Sequence, residues 1–326
     1  MVKHTQMSSF LTLALHPERL TLISVQDNTI HGIAERSFEK PFKLERIQEP
    51  GCVEEVVDLV NSLLMEIGEH SGEIGIALCG SMVMVKRIPV ALGLEEDFIG
   101  DQLRWEALQY LLSPLDAYVM SYQRLPVTSP TGNPLYVQVV VRKPVIQFLR
   151  TVASQCNLSL VDIDVDLFAN VRAILANYEV DPKTILVLLD CHSTHLFFIF
   201  IHEQEYYLSS KVSFPFHSLG EIEDIGEWAK NILKELRRLV FGHRLGRGIE
   251  DIDRVILMGE GMLSEAIQEL KNTIPVPVEM VNPFRRISLH ESVSQFRAFT
   301  HSPELFTAGV GIALKLCPSL VSSQPA

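Results

Sequence analysis

The sequence predicts an α/β protein in which one domain layout occurs twice, with a smaller unit inserted into the first copy. Its 326 residues are enough for about two domains, at roughly 100–200 residues each. Hydrophobic residues make up 47% of the chain, so both domains can bury a core. Each half opens with three apolar strands and continues with helix–strand units, and this duplication is the main support for the prediction.

The first copy opens with alternating apolar and polar side chains. Over residues 10–35 this alternation predicts three strands, joined by turns at residues 16–18 and 27–28. Residues 53–69 place apolar side chains at helical spacing and acidic side chains in the first turn, which predicts a helix. A buried strand is predicted at residues 74–79.

A unit with a different pattern interrupts this copy. The run VKRIPVALGL leads into EEDFIGDQLRWEALQYLLS, an amphipathic helix with an acidic start, and two strands follow on either side of the turn SPTGNP. This β-α-β-β unit covers residues 82–142. The chain then returns to the first copy with a helix, a strand and a second helix over residues 145–178.

The second copy opens with LVLLDCHSTHLFFIFI at residues 186–201, two apolar strands joined by a small polar loop. Residues 203–214 predict a third strand, and a helix from Glu221 to His243 follows. Residues 254–317 predict a buried strand that ends in a glycine turn, a helix, a short strand and a closing helix. The predicted division is residues 1–81 with 143–180 for the first domain, 82–142 for the insertion, 181–320 for the second domain, and 321–326 for a disordered tail.

Composition and charge exclude several classes of function. The net charge of −12 would be repelled by nucleic-acid phosphates and by anionic lipid. No apolar run approaches the roughly 18 residues of a membrane span, and the N-terminal segment has no signal-peptide pattern, so we expect a cytoplasmic protein. The five cysteines form no CxxC pair, which is typical of free thiols in a reducing compartment. No Walker loop, GxSxG or HExxH motif occurs, so no catalytic residue is assigned.

The duplicated layout resembles the fold of actin and the sugar kinases, in which ATP lies between the two halves and each half offers a hairpin to the phosphates. A narrower resemblance rests on four stretches, VKRIPVALGLEEDFIGDQLRWEALQYL with SPLDAYVMSYQRL, VVVRKPVIQFLRTVASQCNLSLVDIDVDLFANVRA, LKELRRLVF, and VILMGEGMLSEAIQELKNTIPVPVEMVNPF. In their order and spacing they resemble the PilM family of actin-like type IV pilus assembly proteins, which is related to FtsA. The resemblance covers most of residues 85–317 and implies an actin-like two-domain fold with an inserted subdomain and a shortened second lobe.

The sequence departs from this family where a nucleotide would bind. The first phosphate hairpin of the family, Asp-Ile-Gly with small hydroxyl residues, is replaced here by ALHPERL, in which Pro17 has no amide to donate and Glu18 would repel a phosphate. The second hairpin keeps Asp190 without the glycine, and the cleft wall between Lys211 and Glu235 is short. These residues form a vestigial ATP site or simply tight turns: Asp190, Ser193, Thr194, Gly259 and Gly261.

The resemblance implies a scaffold of a type IV pilus or related secretion or competence machine, held at the inner membrane by its partner. The implied partner is a PilN-like bitopic membrane protein, whose N-terminal tail lies in the family between the insertion and the first domain. The candidate partner-binding residues are Met84, Val85, Lys86, Arg87, Tyr136, Val137 and Arg142. The alternative is an actin-like ATPase or switch that binds ATP with magnesium. The degenerate hairpins favour a protein that is not an enzyme and has no cofactor.

Three further clusters have more than one interpretation. Asp162, Asp164 and Asp166 could chelate a divalent cation, although Asp164 or Asp166 could instead cap the following helix. His192 and His195 lie across a turn without a ready fourth ligand, so no metal site is assigned. A basic stretch is a solvated helix face, a site for an acidic partner or an approach to the inner leaflet, and it comprises Lys230, Lys234, Arg237, Arg238, His243, Arg244 and Arg247.

Overall fold

A computed structural model describes residues 9–69, 72–129, 131–193, 195–213, 225–260 and 264–321. The strands in chain order are β1 Ser9–Leu15, β2 Arg19–Gln26, β3 Thr29–Ser37, β4 Gly72–Leu78, β5 Met84–Pro89, β6 Tyr118–Thr128, β7 Pro134–Arg142, β8 Leu158–Val165, β9 Ile185–Cys191, β10 Leu196–His202, β11 Glu205–Val212, β12 Ile252–Gly259 and β13 Val278–Met280. The helices are α1 Cys52–Ile67, α2 Glu96–Leu108, α3 Lys143–Gln155, α4 Asp166–Asn177, α5 Ile225–Gly242, α6 Ser264–Thr273, α7 Arg297–His301 and α8 Thr307–Leu316.

Two five-stranded sheets have the same topology. Their strand orders are β3-β2-β1-β4-β8 and β11-β10-β9-β12-β13. In each sheet the first three strands form an antiparallel meander, and the last two strands run parallel to the meander's first strand. The duplication predicted from the sequence is therefore present strand by strand.

The turns of the first meander lie where the sequence predicts them. Residues 16–18 join β1 to β2, and the link between β2 and β3 consists of Asp27 and Asn28, with φ angles of 47° and 61°. Two successive residues in the left-handed region make the type I′ turn that suits a tight hairpin, and Asp and Asn tolerate it better than most residues.

The inserted unit forms its own three-stranded sheet in the order β5-β7-β6, with α2 packed on one face. Gln138 is fully buried beneath α2, where it accepts from Tyr110 Oη at 2.7 Å and donates to the Leu103 carbonyl at 2.8 Å. Side chains on the opposite face, such as Val137, join the core of the second sheet. The small sheet therefore lies between α2 and the second sheet.

The closing helix α8 packs against the first sheet rather than the second. Thr12 Oγ1 donates to the Gly309 carbonyl at 3.0 Å, and Ile312 belongs to the same apolar cluster as Phe10 and Ile23. A β-carbon at Gly311 would lie 1.9 Å from the Ala169 carbonyl oxygen, so glycine permits the close approach of α8 to α4. Among the described residues, no helix is long and apolar enough to cross a bilayer.

Candidate functional site

The two hairpins predicted to face a nucleotide contact each other directly. Ser193 donates its backbone N–H to Glu18 Oε1 at 3.2 Å, which joins the β9–β10 loop to the β1–β2 turn. The β9–β10 loop is closed by the bond from His192 N to the His195 carbonyl at 2.9 Å. Pro17, in the β1–β2 turn, is buried. Protein groups therefore bridge the gap between the two hairpins.

Glu260 adds a second carboxyl group to this contact. It follows Gly259 at the end of β12, its exposed fraction is 3%, and its Oε1 lies 3.6 Å from Arg19 Nε. Burial, a hydrogen bond with Glu18 and the charge of Glu18 raise the pKa of Glu260 to about 9. At neutral pH Glu260 is therefore protonated.

Behind this contact lies a buried ion pair. His192 Nε2 is 3.2 Å from Asp190 Oδ2, and Asn170 Nδ2 donates to the same oxygen at 3.4 Å. Burial alone would lower the pKa of His192, but the charge and the hydrogen bond of Asp190 raise it to about 9. Burial alone would raise the pKa of Asp190, but the charge and hydrogen bond of His192 outweigh this effect and lower it. The pair is therefore ionised at neutral pH.

The neighbouring histidines are kept neutral. His195 stacks on His192 with ring centroids 4.8 Å apart. Burial, and then the charge of His192, lower the pKa of His195 to about 3 and that of His16 to about 4. One charged imidazole is thus accommodated among three neighbouring rings, because each additional charge would be repelled by the first.

The predicted helix cap at Asp164 or Asp166 is wrong. The N-cap residue of α4 is Val165, which makes no side-chain cap bond, and Asp166 is already the first residue of the helix. Asp166 Oδ1 accepts instead from the Gly80 backbone N–H at 2.7 Å, and burial together with the charge of Asp190 raises the pKa of Asp166 to about 7. The Asp166 carboxylate, which the local sequence pattern assigned to a helix cap, therefore binds a backbone amide that is distant in sequence.

The sequence also allowed a divalent-cation site in this segment, but cationic side chains of the chain pair with its carboxylates. Lys315 Nζ lies 2.7 Å from Asp162 Oδ2 and 3.4 Å from Asp164 Oδ2, and Arg172 Nη2 donates to Asp164 Oδ2 at 3.1 Å. No group of three His, Cys, Asp or Glu side chains within the described ranges is arranged to hold a metal ion. The carboxylates of β8 are neutralised by side chains of this chain.

The structure brings together three of the five residues assigned to the vestigial ATP site. Asp190 and Ser193 lie in the hairpin contact described above. Gly259 has a φ of 100°, and a β-carbon there would lie 2.1 Å from the Cys191 carbonyl oxygen. Glycine at this position therefore allows β12 to pass close to β9, independently of any ligand. Thr194 and Gly261 lie outside the described residues.

A second feature is a half-enclosed groove of about 500 Å³ between the insertion, the first sheet and the β10–β11 turn. One wall is β6, which is an edge strand of its sheet and presents Ser121, Tyr122 and Gln123. The facing wall comes from β8 and α4 and carries Arg172, and Lys315 closes one side. An edge strand beside a groove offers unpaired backbone groups to an extended peptide.

The candidate partner-binding residues are dispersed. Met84, Val85, Lys86 and Arg87 lie on β5, the other edge of the small sheet, and Arg87 stacks over Tyr207 at 4.1 Å.

The three candidates on β7 have separate environments. Tyr136 is buried beneath α2 and Val137 lines the groove, whereas Arg142 lines a smaller pocket of about 360 Å³ beside Leu44 and Ile47.

Sequence reasoning missed the residues of β6, Arg172 and Lys315 as groove residues. The signal in the sequence was weak: YVMSYQRL is a strand with polar side chains on both faces, which is typical of a strand at a sheet edge.

Comparisons with known proteins agree with this architecture. The family model described as type IV pilus assembly protein PilM matches residues 24–209. A solved structure described as the PilM-PilN type IV pilus biogenesis complex aligns with a TM-score of 0.74 at 19% identity, over 96% of this chain and 99% of that chain. The ethanolamine utilization protein EutJ from Carboxydothermus hydrogenoformans aligns with a TM-score of 0.53 at 10% identity, over 96% of this chain and 92% of that chain.

These similarities confirm the actin-like fold that the duplicated layout predicted. The matched family segment begins within β2, includes the whole inserted sheet with α2, and ends within β11. It therefore spans more than half of the chain. The chain belongs to the family of the type IV pilus assembly protein PilM.

Proposed function

We propose that the chain is a cytoplasmic scaffold of a type IV pilus machine, which binds the N-terminal tail of a PilN-like bitopic membrane protein and does not use ATP. Family membership and the fold shared with a PilM–PilN complex support the partner. The observation that supports a function without ATP is the hydrogen bond from Ser193 N to Glu18 Oε1 at 3.2 Å, which joins the two hairpins that would otherwise face a phosphate.

A bound triphosphate would have to break this contact and pay an electrostatic penalty. It would displace Glu18 and the adjacent Glu260 from a region where Arg19 is already paired with Glu35 and His192 with Asp190. Each phosphate would bring more negative charge against carboxyl groups in a site with little water to screen it. The cleft is therefore better suited to fixing the two halves of the molecule together than to exchanging a nucleotide.

The groove along β6 is the site we assign to the partner's tail. An extended peptide there would add to the free edge of β6 and place alternate side chains against Val137, Val139 and Phe168 on the groove floor. Arg172 forms an ion pair with Asp164, and Lys315 forms one with Asp162, so the positive and negative charges on this wall nearly cancel. The groove therefore favours a peptide with apolar anchors over a strongly charged one.

The ATP part is tested by thermal unfolding with millimolar Mg-ATP. We expect no change in melting temperature, with an actin-like ATPase measured alongside as a positive control. A ligand at 100 times its dissociation constant stabilises by about 2.7 kcal/mol, which is readily detected. Stabilisation of this size would contradict the proposal.

Binding of the partner is tested with a fluorescent peptide corresponding to the N-terminal tail of a PilN-like protein. Val139→Glu places a charge on the groove floor, and Ser121→Arg fills the groove from its exposed edge. We expect both variants to bind at least about tenfold more weakly, which corresponds to about 1.4 kcal/mol. Val161→Glu is the matched control, because Val161 is 41% exposed and does not line the groove. Equal affinity of all variants would refute this assignment.

A further inference from the structure

A half-open pocket of about 370 Å³ lies where the insertion meets the second domain. Its walls come from the end of β6, from the β10–β11 turn with β11, and from the segment that follows α5. Val127 and Leu245 make part of the lining apolar, Tyr207 makes part of it aromatic, and Arg244 contributes a cation. The pocket shares no lining residue with the groove along β6, so the proposed site for the partner's tail does not use it.

A second cation, Arg87 on β5, lies directly behind this lining. Its guanidinium stacks over the Tyr207 ring at 4.1 Å, and its Nη2 lies 3.4 Å from His243 Nδ1, so it contacts two residues of the pocket. Within the part of the chain that the structure describes, Arg87 Nη1 is buried without a hydrogen-bond partner. A partly buried guanidinium that the protein leaves unneutralised is costly, and an anion in the adjacent pocket would offset that cost.

The histidines of the pocket can donate to such an anion. Burial and the positive charges of Arg87 and Arg238 lower the pKa of His243, so its ring is neutral at neutral pH. Arg87 can only donate, so His243 Nδ1 accepts from it and the ring keeps its proton on Nε2. His202 also lines the pocket, and its Nδ1 is buried without a partner among the described residues.

The end of α5 explains only part of this arrangement. Cations just after the C-terminus of a helix stabilise it, which accounts for His243 and Arg244 without any ligand. Arg87 and His202 belong to β5 and β10, and the same effect does not place them here. Cations and hydrogen-bond donors therefore converge from three separate elements, which favours a ligand over a helix cap.

Charge and shape indicate the chemistry of that ligand. Arg87 and Arg244 are opposed by Glu203, the acidic lining residue within the described ranges, so these three side chains leave one net positive charge. A carboxylate balances one positive charge, whereas a phosphate group carries about −1.5 to −2 and would exceed it. The volume is at the small end of ligand pockets, and the apolar walls suit a compact apolar body attached to the carboxylate.

We propose that this pocket binds the carboxylate of a ligand with a small apolar body, either the C-terminal residue of a polypeptide or a small carboxylic acid. The carboxylate accepts from Arg244 and the imidazoles, with the charge of Arg87 behind them, and the apolar body packs on Tyr207 and Leu245. Because the walls belong to the insertion and to the second domain, the bound ligand also holds these two units together.

The test is a ligand-detected NMR titration with N-acetylphenylalanine, and its uncharged amide is the control probe. We expect the acid to bind with a dissociation constant of about 1 mM at low salt, to weaken as salt is added, and the amide not to bind measurably. A hexapeptide that ends in phenylalanine with a free carboxyl group distinguishes the two sources. Affinity at least about tenfold above that of the small acid identifies a chain end, and equal affinity identifies a small carboxylic acid.

Two variants with opposite effects test the charges. Arg244→Gln should weaken binding of the acid at least about threefold, whereas Arg247→Gln, exposed on the same segment but outside the lining, should not change it. Glu203→Gln should tighten binding about two- to threefold, a gain that impaired folding cannot produce. The proposal is overturned if neither the acid nor the peptide binds, if acid and amide bind equally, if the two arginine variants behave alike, or if Glu203→Gln does not tighten binding. Val139→Glu should leave all of these results unchanged, so they are independent of tail binding in the groove.

Discussion

Replacing Glu260 by glutamine should change how the stability of the protein depends on pH. Burial, the hydrogen bond with Glu18 and the charge of Glu18 raise the pKa of Glu260 from its ordinary 4.5 to about 9. Between about pH 6 and pH 8 the folded chain therefore keeps this proton while the unfolded chain has lost it. Because the folded-state pKa is the higher one, the stabilisation is complete below a pH of about 4.5 and is lost as the pH rises through about 9.

The expected magnitude follows from this difference in bound protons. Each pH unit in the window costs the folded parent about 1.36 kcal/mol, so the cost over two units is about 2.7 kcal/mol. Glu260→Gln has no proton to lose, and its amide can donate to Glu18 at any pH. The stability difference should therefore shift in favour of the variant by about 2–3 kcal/mol between about pH 6 and pH 8.

Urea unfolding at several pH values measures this shift. Trp228 is a suitable fluorescent reporter, because it is buried in the same core as β12. The control is Glu265→Gln on α6, where the side chain is exposed and the pH profile should match that of the parent. Parallel profiles for the parent and Glu260→Gln would show that Glu260 does not hold a proton in the folded state, and would refute its raised pKa.

Two further substitutions test the buried parts of the cleft. Gly259→Ala should destabilise by more than about 3 kcal/mol in urea unfolding, because its β-carbon would clash with the Cys191 carbonyl, whereas Gly93→Ala, with a φ of 81° and open space around it, should cost only about 1 kcal/mol. Equal losses would remove the clash as the cause. His192→Ala should cost about 3–5 kcal/mol at neutral pH, since it leaves Asp190 buried without its cationic partner, and the double variant with Asp190→Asn should recover part of that loss. No recovery would show that the histidine acts by packing alone.

The parts of the fold that follow from local rules could be predicted from the sequence. Alternating side chains predicted the first meander, continuous apolar runs predicted the second, and Asp27-Asn28 predicted a turn whose chemistry requires positive φ angles. The helix cap failed because a distant backbone amide, that of Gly80, competes for the Asp166 carboxylate. No local pattern reveals such a competition, since it depends on which strands become neighbours.

The same limit applies to the candidate site. The replacement of phosphate-binding residues was visible in ALHPERL, but the sequence could not show that Glu18 reaches Ser193 and Glu260 across the cleft. Gly259 resembled a nucleotide-binding residue, because a glycine allows the close approach either of a ligand or of a neighbouring strand. Only the position of Cys191 distinguishes these two uses. The groove beside β6 was missed because a strand lies at a sheet edge only when no other strand pairs with its free side, and the sequence does not show which strands pair.

The packing of α8 on the first sheet has a consequence for synthesis of the protein. Residues such as Phe10 and Ile23 complete their apolar cluster only with Ile312, which the ribosome adds long after them. Until that helix emerges, the first sheet exposes a hydrophobic face during translation, and nascent chains in this state are prone to aggregate. During synthesis, β1 and β2 therefore depend on the much later α8 to cover this hydrophobic face.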